Sequence, residues 1–156
     1  MPRIVHVFAA LALAGCSARV PAPPAPAAAR AALMAADRAF AAETAARGLD
    51  GWMEYYAPDA ARLYMGGTAV RGHAAIRAFD ADLFADPAVG LRWAPTDAGT
   101  FADGRHGFTT GRSALVRLGG AAPDTLRTGT YVSLWRLDAD GRWRVLLDTG
   151  ALDPPR

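Results

Sequence analysis

The chain has 156 residues, a formal net charge of +2 and 52% hydrophobic residues, a figure raised by alanine. Acidic and basic side chains are interspersed, and no basic stripe with interleaved aromatics occurs, so no nucleic-acid partner is expected. Every basic side chain other than histidine is Arg, and Lys, Asn and Gln are absent. That bias reads as genome-level codon usage, so the abundance of Arg carries no functional weight.

The first segment behind Arg3 is an apolar run from Ile4 to Leu13. At about ten residues it is too short to span a bilayer and has signal-peptide length. Cys16, the single cysteine, cannot form an intrachain disulfide. Leu13-Ala14-Gly15-Cys16 resembles the lipobox of bacterial lipoproteins. The resemblance implies cleavage before Cys16, a diacylglycerol on its thiol and acylation of the new amino terminus. Ser17 fits the outer-membrane sorting pattern, so the expected location is the cell envelope, lipid-anchored and facing the periplasm. Residues 18 to 30, ARVPAPPAPAAAR, carry Pro at spacings that block helix and favour extended chain. The expected boundaries are therefore 1–15 for the signal peptide, 16–30 for the lipidated Cys and linker, and 31–153 for one folded domain.

From Ala31 the pattern turns helical, with Leu33, Ala36, Phe40 and Thr44 on one face and Asp37 at its edge. Gly48 ends that helix. A short second helix is expected from Asp50 to Tyr56, stopped by Pro58. ARLYM then reads as a strand. RGHAAIRAFDADLF reads as a third helix with Ala75, Ile76 and Phe79 inward. Four further strands follow in VGLRWAPTDAGTFA, RHGFTTGRSALVRL, LRTGTYVSLWRL and RWRVLLDTG. Asp103-Gly104 and Asp140-Gly141 mark tight turns. Gly107 and Gly111 inside a long strand predict bends. The expected fold is α+β: three N-terminal helices laid across a curved antiparallel sheet, with a cone-shaped cavity between them.

The run LDGWMEYYAPDAARLYMGGTAVRGHAAIRAF and the tail YVSLWRLDADGRWRVLLDTG resemble SnoaL-like domains of the nuclear transport factor 2-like superfamily, which have a cystatin-like fold. The resemblance spans roughly residues 31 to 150 and implies that the strand face bearing Tyr131, Ser133 and Trp135 lines the cavity. It does not imply one function, because that superfamily includes enzymes, ligand binders and association modules. Its ketosteroid-isomerase branch places a base at the position of Tyr64 and oxyanion donors at those of Phe40 and Ser133. All three depart from the pattern, so that mechanism is not expected here.

Candidate chemistry rests on few groups. Asp37 is either a base of raised pKa or an edge residue paired with a nearby Arg. Tyr64 either presents its hydroxyl to the cavity or forms part of its wall. Asp148 alternates with Trp143, Val145 and Leu147 and takes the other face; it is a carboxylate of the site if that face is concave and a solvated strand end if not. The expected pocket comprises Phe40, Trp52, Tyr56, Tyr64, His106, Tyr131, Ser133 and Trp135. No metal set and no cofactor motif occur in the sequence. Three readings follow: a lipid-anchored binder of a small, partly apolar ligand; an acid/base enzyme; or a dimeric association module. A homodimer is expected because both faces of YVSLW carry apolar groups.

Overall fold

The computed structural model describes residues 25–64, 67–120 and 124–154; Cys16, the signal-like run and the first part of the linker lie outside them. Helix α1 spans Pro26–Arg47 and begins earlier than the expected Ala31, with Pro26 in the first turn. Proline suits that position because its missing N–H has no partner to lose there. Ala29, Leu33, Asp37, Phe40 and Thr44 form the buried face of α1. Asp37 is thus at the centre of that face, not at its edge. Gly48 closes the helix with φ of 58°, its N–H bonded to Thr44 O at 2.8 Å.

Helix α2 is Leu49–Glu54 and strand β1 is Tyr56–Leu63. Pro58 therefore lies within a strand and does not end the preceding helix. It does so at an irregularity: β1 changes register against its neighbour between Tyr56 and Ala61, which spares the missing N–H from a ladder bond. A short β2, Ala69–Arg71, precedes helix α3, His73–Asp80, and a 3-10 turn, Ala81–Phe84. On α3 Ile76 and Asp80 are buried, whereas Ala75 and Phe79, expected inward, are exposed. Strands β3 (Val89–Thr100), β4 (His106–Arg117), β5 (Asp124–Leu137) and β6 (Trp143–Leu152) complete one six-stranded sheet of order β2-β1-β6-β5-β4-β3. The sheet is mixed: β1 and β6 run parallel and the other neighbours antiparallel. Gly104 and Gly141 have φ of 63° and 79°, as the tight turns require.

The break in the β3–β4 ladder falls beside Gly111, while Gly107 keeps regular pairing with Thr100 and Trp135. β3 and β4 shift register between Pro95 and Asp97, opposite Gly111. A Cβ on Gly107 would stand 2.5 Å from both Gly99 O and Leu33 Cδ1, so the absence of a side chain lets α1 lie close on the sheet. Between helix and sheet, Phe40 is the hub of an aromatic cluster. Its ring centroid lies 4.8 Å from Trp52, 4.9 Å from Tyr55, 4.8 Å from Trp93 and 6.0 Å from Trp135. Burying each such ring is worth roughly 1.5–3 kcal/mol.

Candidate functional site

A cavity of about 100 Å³ opens between α1 and the inner face of the sheet, beside this cluster. Phe40, Trp52, Leu91 and Trp93 form its apolar side; Arg62, Ser113, Tyr131, Ser133, Asp148, Thr149 and Gly150 form the polar side. Exposed Gly150 marks its rim. A second groove, of about 170 Å³, lies beyond Leu91, lined by Thr44, Gly48, Phe84, Pro87 and Leu118 among others.

Asp148 is in the cavity wall, which resolves the choice left by the sequence. β5 and β6 shift register between Leu134 and Trp135, so Trp135 faces Val145 while Ser133 faces Asp148. The extra residue, Leu146, changes the parity of β6. Trp143, Val145 and Asp148 are consequently all buried, although plain alternation separates Asp148 from the other two. Ser133 Oγ donates to Asp148 Oδ1 at 2.7 Å, and Arg62 Nη1 donates to Oδ2 at 3.1 Å. Burial raises the Asp148 pKa and the Arg62 charge opposes that rise.

Arg62 comes from β1, directly across the parallel ladder from Asp148. Nη1 also donates to Tyr56 Oη at 3.1 Å. Nε lies 3.4 Å from Asp80 Oδ1, an electrostatic contact without hydrogen-bond geometry, since Nε has no hydrogen-bond partner among the described residues. The guanidinium carbon is 4.6 Å from the Trp52 ring centroid and 4.9 Å from that of Tyr64. Asp80, buried on α3, accepts from Trp52 Nε1 at 2.9 Å and from Tyr64 Oη at 2.7 Å.

Asp37 forms a separate clamp. It is fully buried, and it accepts from Trp93 Nε1 at 2.7 Å and from Tyr131 Oη at 2.8 Å. Among the described residues no Arg pairs with it; two neutral donors on β3 and β5 tie α1 to the sheet instead. Burial, followed by the Asp37 charge, drives the Tyr131 pKa upward.

The structure thus brings Phe40, Trp52, Tyr131, Ser133 and Asp148 into one cavity and leaves four expected members outside its lining. Tyr56 is buried behind Arg62. Tyr64 gives its hydroxyl to Asp80 and its ring to Phe79, 3.9 Å between centroids. Trp135 is fully buried core, with Nε1 donating to Thr109 Oγ1. His106 stands at the β3–β4 turn, where Nδ1 meets Asp103 Oδ2. That pairing, with two backbone N–H groups, pulls the Asp103 pKa down to about 2. Two important members escaped the sequence reading. Arg62 was hidden by the abundance of Arg. Asp80 had a usable signal: it follows inward Ile76 by one helical turn.

Residues 36–146 match the sequence model of the SnoaL-like domain. The chain belongs to the SnoaL-like domain family. Solved structures agree on the fold. An NTF2-like protein with a cystatin-like fold from Novosphingobium aromaticivorans is 16% identical, with a TM-score of 0.62, over 78% of this chain and 80% of that one. A ketosteroid isomerase-like protein from Erwinia carotovora atroseptica is 16% identical, with a TM-score of 0.65, over 80% and 96%. A putative calcium/calmodulin-dependent protein kinase type II association domain from Thiobacillus denitrificans is 24% identical, with a TM-score of 0.61, over 86% and 99%. No curated protein matches the chain in sequence.

Within this SnoaL-like domain, no group of three or more metal-ligating side chains occurs among the described residues. No helix among them is long and apolar enough to cross a membrane.

Proposed function

We propose that this SnoaL-like domain binds a small, partly apolar molecule in the cavity between α1 and the sheet. One observation carries the reading: the cavity sets the rings of Phe40, Trp52 and Trp93 opposite a polar wall of Ser133, Asp148 and Arg62. A few fixed polar groups facing apolar surface is the ordinary composition of a small-molecule site. The test is a Ser113→Phe variant, which fills the cavity from β4. Mass spectrometry of extracts from protein purified from its host should find a molecule released by the natural chain and missing from the variant. Equal recovery from both contradicts the reading.

A second reading, an acid/base enzyme, is supported by Asp148, a carboxyl group in the cavity wall whose pKa burial raises. Ketosteroid-type turnover is not expected of it, because Phe40 carries no donor and the Tyr64 hydroxyl donates to Asp80.

Membrane anchoring is proposed from the sequence alone. Several acyl chains at Cys16, at about 0.8 kcal/mol per buried methylene, would hold the domain on a bilayer. A Cys16→Ser variant should lose incorporation of labelled fatty acid; unchanged labelling contradicts the anchor. A homodimer through the outer sheet face is likewise proposed. Val132 is 40% exposed there, and light scattering should give twice the chain mass, a monomer contradicting it.

A further inference from the structure

Beside the cavity the charges do not balance. Asp37, Asp80 and Asp148 are all buried. Among the described residues, the only cation bonded or ion-paired to any of them is Arg62, which is shared between Asp148 and Asp80. Among the described residues, Asp37 accepts from two neutral donors and pairs with no cation. A bound anion would bring further negative charge next to these carboxylates, at a cost that low local dielectric enlarges.

The hydroxyl protons give an independent constraint. A serine or tyrosine hydroxyl has one proton to donate. Ser133 spends its proton on Asp148, and Tyr131 spends its own on Asp37. What these three cavity groups, Tyr131, Ser133 and Asp148, turn toward a ligand is therefore oxygen lone pairs. Ser113 and Thr149 can rotate to act either way. The opposite wall is made of rings, and one of them already stabilises a cation: the Arg62 guanidinium sits over Trp52.

Resting on the reading of this cavity as a ligand site, we propose that its ligand is an organic ammonium ion, a protonated primary amine on an aromatic or branched apolar body. Its N–H groups satisfy the acceptors Asp148, Ser133 and Tyr131. Its charge offsets the surplus carboxylates, and the rings of Phe40 and Trp93 pack on the apolar body and on the cation, away from the Trp52 face that Arg62 occupies.

The test uses the tryptophans of the cavity as reporters. Fluorescence of the unmodified domain is titrated at neutral pH with benzylammonium, benzyl alcohol and benzoate, probes of one shape and three charges. Benzylammonium should bind at least tenfold more tightly than benzyl alcohol, and benzoate more weakly than either. In Asp148→Asn the preference over benzyl alcohol should shrink to within about threefold. Benzyl alcohol or benzoate binding as tightly as the amine overturns the cation inference and leaves the cavity standing as a ligand site. Saturable binding of none of the three overturns both. The comparison among probes needs no variant, so it holds even if Asp148→Asn folds poorly.

Discussion

Two seams of the molecule each bury an aspartate, and they do different work. At the seam of α1 with β3 and β5, Asp37 is saturated by Trp93 and Tyr131 and lies outside the cavity lining. At the seam of β1 with β6, Asp148 lies in the cavity wall and shares a cation with Asp80. Burial therefore does not by itself mark the functional carboxylate. Asp37 is a fastener whose donors come from the elements it joins. Asp148 has a face turned to the cavity, a neighbouring charge and a perturbed proton.

The largest expected effect breaks the first seam. Asp37→Ala leaves Trp93 Nε1 and Tyr131 Oη without their acceptor and opens space under α1. Two orphaned donors to a charged group predict a loss of about 3–5 kcal/mol, read from urea unfolding. A loss below about 1 kcal/mol would show that Asp37 is not a tie.

At the second seam the response should be softer. Arg62→Met removes the cation from between two carboxylates, but Asp148 can take up a proton, so about 2–3 kcal/mol is expected instead of the fuller cost of stranding a fixed buried charge. The same logic gives a pH dependence. The folded-state pKa of Asp148 is raised, so the folded chain holds that proton more tightly than the unfolded one. Its contribution is present below the ordinary carboxylate pKa near 4 and is lost as pH rises through the higher folded value. Asp148→Asn carries no such titration. Its stability relative to the natural chain should therefore rise with pH across that window, as thermal unfolding at successive pH values can show. A difference that is flat, or falls, contradicts the assignment.

The smallest effects lie outside both seams. Tyr64→Phe removes one hydroxyl from Asp80 and should cost about 1 kcal/mol. It should leave ligand affinity unchanged, because Tyr64 is not in the cavity lining. A chain starting at Ala31 loses buried Ala29 and the exposed Arg30–Asp97 pair. About 1 kcal/mol is expected from the lost burial of Ala29; no loss would return residues 26–30 to the linker.

The fold was legible because its signals are local. The α1 face, the strand runs, the turn glycines and the ladder break beside Gly111 each follow from a few neighbouring residues. The site was half legible for the same reason. Tyr131, Ser133 and Trp135 share the inward face by simple alternation, as observed. How far along β5 the cavity extends depends on Phe40 of α1 packing on Trp135, which no periodicity states. Asp148 was undecided because a single extra residue at Leu146 reverses the phase of β6. Arg62 was missed because its role arises from the parallel pairing of β1 with β6, a contact between distant segments that composition conceals.

The most direct test of the central claim is a crystal structure of the domain purified from its host. Ordered density for a small molecule between Phe40 and Trp93 on one side and Ser133 and Asp148 on the other is the predicted result. A cavity filled by the chain's own side chains, or a ligand seated instead in the groove beyond Leu91, would contradict it.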